Sequence, residues 1–109
     1  MAQNFRRLIS RNIGSGGATV HTFTTGYHAI VGIRCANTNA SASTNLSVYI
    51  TDGGVDYYLI KSAPIASGSS LELIDGGAKI IVQVNDVLKI VSTANYVDAW
   101  VSYIDAIST

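Results

Sequence analysis

An all-β fold is what this sequence predicts: an antiparallel two-sheet β-sandwich, jelly-roll-like, of about eight strands. Leu46, Val48 and Ile50 alternate with Ser47, Tyr49 and Thr51, the period-two pattern of a strand with one buried and one wet face. Turn signals made of Gly, Asn, Asp and Ser interrupt the apolar segments about every ten residues. No long stretch repeats with the 3.6-residue period of an amphipathic helix.

A chain of 109 residues is one domain's worth, large enough for a single core without disulfides or metal. It divides into an N-terminal arm, residues 1–12, and one sandwich domain, residues 13–109. The arm holds three of the seven basic side chains, Arg6, Arg7 and Arg11. Phe5, Leu8 and Ile9 give it something to bury. That mixture suits an edge strand or a segment that docks on a neighbouring subunit, with Phe5, Arg6, Arg7, Leu8 and Arg11 as partner contacts. Its deletion is expected to leave the sandwich folded and to stop assembly. Three arginines without interleaved stacking aromatics are a weak footprint for nucleic acid.

The elements follow in order. Gly14-Ser15-Gly16-Gly17 is a joint rather than a phosphate loop, because no Lys-Ser/Thr and no helix pattern follow it. Thr19 to Thr24 brings Val20 and Phe23 to the core and ends at Gly26. His28 to Asn37 is a buried strand through Ile30, Val31, Ile33 and Cys35, with Gly32 marking a bulge or a close approach of backbones. The polar loop 37–44 connects the sheets.

Asp52-Gly53-Gly54 tolerates positive φ and makes a hairpin between the strand ending at Thr51 and the one resuming at Val55. Pro64 cannot donate to a ladder, so it belongs at an edge or a strand start. Leu71 to Ile74, Lys79 to Val84 and Val87 to Ser92 are further strands, separated by turns at Asp75-Gly76-Gly77 and Asn85-Asp86. The last strand runs from Val97 to Ile104, with Val97, Ala99, Val101 and Tyr103 on one face. The expected core is Leu46, Val48, Ile50, Leu59, Leu71, Leu73, Ile80, Val82, Leu88, Ile90 and Val101.

Seven basic and seven acidic side chains cancel, and charged residues are only 13% of the chain, about half the usual quarter. So neutral a surface repels copies of itself weakly, which points to a homo-oligomer and away from nucleic acid or an anionic membrane. Cys35 has no second cysteine to pair with and sits among apolar neighbours as a small hydrophobe. His21 and His28 lack the further ligands a zinc site needs. Of Asp52, Asp56, Asp75 and Asp86, three stand in or beside glycine or asparagine turns that favour aspartate for backbone reasons. With no nucleophile elbow and no paired acid and base, no catalytic residue, cofactor or metal is assigned. Tyr49, Tyr57 and Trp100 are candidate surface aromatics for a partner or a carbohydrate.

Five stretches together resemble small virion proteins of tailed bacteriophages, those of marine and cyanobacterial phages above all. They are Ser10-Arg11-Asn12-Ile13-Gly14, Cys35-Ala36-Asn37-Thr38-Asn39-Ala40-Ser41, Val55-Asp56-Tyr57-Tyr58-Leu59-Ile60-Lys61-Ser62-Ala63-Pro64-Ile65, Gly68-Ser69-Ser70-Leu71-Glu72 and Asp86-Val87-Leu88-Lys89-Ile90-Val91-Ser92. The chain departs from that pattern at Thr25-Gly26-Tyr27, where the family has a proline-bearing turn. The resemblance transfers no catalytic residue. It implies a non-enzymatic virion structural protein, made in the host cytoplasm: a capsid decoration or cement protein contacting the major capsid protein or other virion proteins. A neck, tail or baseplate component, or a carbohydrate-binding host-attachment module, is the alternative.

Overall fold

The computed structural model describes residues 4–24, 26–74, 79–93 and 96–108. They form nine strands: β1 (Asn4–Ile13), β2 (Ala18–Thr22), β3 (Tyr27–Asn37), β4 (Thr44–Asp52), β5 (Val55–Ile65), β6 (Ser70–Glu72), β7 (Ile80–Gln83), β8 (Val87–Ser92) and β9 (Val97–Ser108). One sheet has the order β1-β9-β3-β6, with β7 also on β3, and the other the order β2-β8-β4-β5. All pairings are antiparallel. The fold is therefore all-β with two antiparallel sheets, as expected, and nine strands in place of about eight. Two of them, β6 and β7, share one edge of β3, on Arg34–Ala36 and Tyr27–Ile30 respectively.

The core is a single cluster drawn from both sheets. Ile30, Ile33, Val97 and Val101 of the first pack with Leu46, Val48, Leu88 and Ile90 of the second. Val97, Val101, Leu46, Val48, Leu88 and Ile90 alternate with exposed or half-exposed neighbours, which is why period two reveals them, whereas in β3 His28, Ala29 and Ile30 are buried in succession ahead of the register shift at Gly32. Leu71, Leu73 and Ile80 are only partly buried against the cluster. Leu59 is corrected outright, because it is 37% exposed. The register pairs Val48 with Ile60 and Tyr49 with Tyr58, leaving Leu59 as the extra residue of a bulge.

Local chemistry explains the connections. Gly53 and Gly54 have φ of 61° and 82°, the two left-handed residues that a tight hairpin loop needs. The Ile30/Gly32 step shifts the β3–β9 register, so Gly32 sits at a bulge. A side chain there would meet only the Cβ of Ser102, at 4.0 Å, and no close approach forces the glycine. Pro64 stands opposite Asn45 in β5, the terminal strand of its sheet. At the departure noted above, Gly26 has a φ of 62° and Tyr27 begins β3. The turn Asp75-Gly76-Gly77 lies outside the described residues.

Residues 4–13 form an edge strand. β1 pairs with β9 from Asn4↔Asp105 to Ser10↔Ala99, and after an irregularity at Ile13↔Val97. The boundary expected after residue 12 thus falls within β1, and Ile13 beside it is buried in the core. The loop from β3 to β4 crosses between the sheets around buried Asn37. Its Nδ2 donates to the carbonyls of Ala42 (2.9 Å) and Ile65 (3.0 Å), and its Oδ1 accepts from Asn39 N (3.0 Å).

Candidate interaction surface

Strand alternation sorts the N-terminal candidates onto two faces. Leu8, opposite Val101, turns inward against the core. Phe5, Arg7 and Ile9 turn outward, with Phe5 opposite Ile104, Arg7 opposite Ser102 and Ile9 opposite Trp100. Trp100 is also opposite Arg34 of β3, so it stands in the middle strand of a row running Ile9, Trp100, Arg34 and then Glu72 of β6. Trp100 is 50% exposed and Phe5 79% exposed.

The row has internal structure. The Arg7 guanidinium lies 5.2 Å from the centre of the Trp100 ring, a cation–π contact worth about 0.5–1 kcal/mol where water has access. Arg34 donates from both Nε and Nη2 to Glu72 Oε1. Asp98 accepts from the backbone N–H of Asn12 at 3.1 Å, which anchors the irregular end of β1. Shallow grooves flank Trp100. One is lined by Ile9, Arg11, Ala36 and Asp98, the other by Gly32, Glu72 and Ser102, and Arg34 borders both. Phe5, Arg7, Arg11 and Trp100 are therefore brought to one face. It combines a large ring, apolar side chains and paired charges, a mixture suited to the centre of a protein contact.

Arg6 goes elsewhere. Its Nε donates to Asp105 Oδ2 at 3.1 Å, and Asp105 Oδ1 lies 2.9 Å from Nδ1 of buried His28. One carboxylate thus ties β1, β3 and β9 together. Beside it, His21, Phe23, His28 and Tyr103 form a ring cluster, with centroids 4.7–5.9 Å apart. Burial, reinforced by His28, pulls the His21 pKa below its ordinary value against the opposing pull of Asp105. Burial, with Asp105 adding to it and Arg6 opposing, raises that of Tyr103. The two histidines pack against the same two rings, Phe23 and Tyr103, as members of one aromatic corner. Among the described residues no group of three or more His, Cys, Asp or Glu side chains is placed to hold a metal ion.

Tyr49 and Tyr57 belong to the other sheet, in β4 and β5. Tyr49 packs on Tyr58 with ring centres 4.9 Å apart, while Tyr57 is 57% exposed near the hairpin tip. The three candidate aromatics consequently do not form a common platform. Cys35 is buried, and desolvation pushes its thiol pKa up to about 12.

Sequence reasoning passed over Arg34, Glu72 and Asp98. Each is a single charge in a strand, and only the cross-strand register brings it next to Trp100. Comparison with family models, curated proteins and solved structures finds no match to this chain.

Proposed function

We propose that the chain is a non-enzymatic structural subunit of a bacteriophage particle, made in the host cytoplasm and incorporated as a capsid decoration or cement protein. The observation that carries this is the Trp100 face: a ring, flanking apolar groups and arginines held on a rigid sheet, where a protein partner such as the major capsid protein would dock. The sheet orders support a jelly-roll reading. If β6 and β7 are counted as one interrupted strand, the two sheets interleave eight strands as β1-β9-β3-β6/β7 and β2-β8-β4-β5. Jelly rolls recur in viral capsid and lectin domains, and that support is by fold analogy. Low net charge favours dense packing of copies at a particle surface.

The test is incorporation. Particles assembled with Trp100→Ala or Arg7→Glu are expected to lose the protein while the purified variants keep their β-sheet spectrum; full loading of both overturns the proposal. Copy number places it, since a shell protein is abundant, whereas a neck, tail or baseplate component has the few copies of a symmetric ring. A carbohydrate-binding attachment module would instead load normally as Trp100→Ala and lose glycan binding.

A further inference from the structure

Each sheet ends in strands with unpaired backbone groups, and proteins normally guard such edges. β1 is guarded by Arg6, Arg7 and Arg11, which two copies would have to bring together. On the opposite side of that sheet, β6 and β7 are only three and four residues long. In the other sheet, β2 has five residues and a register break between Thr19 and His21. β5 differs from all of these. It is eleven residues long; apart from the one-residue bulge at Leu59, its guards stand toward its C-terminal end, where Ser62 has a φ of 55° at a register shift and Pro64 follows. Residues 55–59 are exposed in succession, and among them Val55, Tyr57, Tyr58 and Leu59 are large apolar groups.

The charges on and just beyond this open stretch are self-complementary. Asp56 and Lys61 lie symmetrically about the midpoint between Tyr58 and Leu59. The Leu59 bulge puts both on the sheet face that Tyr58 occupies: Asp56 accepts from Thr51 Oγ1 at 2.7 Å, and Lys61 Nζ lies 4.9 Å from the Tyr58 ring centre. We propose that β5 pairs antiparallel with β5 of a second copy, about a two-fold axis through that midpoint, extending the four-stranded sheet across a dimer. Asp56 of each copy then lies against Lys61 of the partner subunit, and Tyr57 against Ile60 of the partner subunit. Such a contact is isologous and closes on itself. It leaves the Trp100 face, on the other sheet, free for a different partner.

This deepens the proposed function by naming the self-contact, and it rests on that reading only for where the dimer is used. The experiment is sedimentation equilibrium of the purified full chain over a range of concentrations. A monomer–dimer equilibrium is expected. Asp56→Lys and Lys61→Asp each place like charges opposite one another and raise the dissociation constant about tenfold or more, since two cross-strand pairs are lost at once. The double variant D56K/K61D exchanges the partners and restores the wild-type value. Circular dichroism verifies that every variant is folded. A chain that is monomeric throughout, an oligomer indifferent to both single reversals, or a double variant no better than the singles overturns the dimer. Loading of a monomeric chain onto particles would overturn it too while leaving the decoration proposal standing. A dimer that never enters particles does the reverse.

Discussion

At the scale of single residues, the side chains that matter most to stability are polar ones in apolar surroundings. Asn37→Ala would leave the carbonyls of Ala42 and Ile65 and the N–H of Asn39 without their partner; a loss of about 2–3 kcal/mol is expected in urea unfolding. His21 has a folded-state pKa below its ordinary 6.5, so the unfolded chain binds a proton that the folded chain resists. Stability supplied by neutral His21 is complete above pH 6.5 and is lost as pH falls toward the folded-state value. Melting temperature followed against pH should decline in that window, with a shallower decline in His21→Gln. Cys35, with its thiol raised to about 12, should resist alkylation at neutral pH in the native protein and react once denaturant unfolds it. Cys35 was legible as a small hydrophobe from its neighbours alone. Asn37 was not, because its partners are carbonyls that only the folded loop brings within reach.

Strands were far easier to recognise than their mutual register. The alternation in β4, β8 and β9 identifies their buried faces because each lies within a sheet, with a neighbour on either side. β5 has a free side and a bulge, so Leu59 escapes the pattern that placed it in the core. The Arg34–Glu72 pair and the position of Trp100 beside Arg7 depend on which strands adjoin, and that information is spread over residues far apart in the chain. β1 shows what this means for the first twelve residues. Deleting residues 1–12 removes the Leu8 packing and uncovers one side of β9 from Ala99 to Asp105. The shortened protein should therefore unfold at distinctly lower urea, with the midpoint measured by tryptophan fluorescence. Ile13→Ala should cost about 2–5 kcal/mol, as expected for a truncated core side chain.

For the molecule as a whole, neighbours in each sheet are mostly distant in sequence, as with β1 beside β9 and β2 beside β8. Closing such loops precedes most of the stabilising contacts, so refolding by stopped-flow should be slow, on the order of milliseconds to seconds. The same topology places Asn4 directly across from Asp105. Traction applied at those two points would open the β1–β9 seam like a zipper, stressing one rung of the ladder at a time. Force directed along the strands would instead have to shear many rungs together. A subunit built this way is mechanically soft at its ends and stiff through its sheets. Tethered by its ends in an optical trap, it should yield at low force, and any strain it withstands within a larger assembly would have to enter through its flat sides.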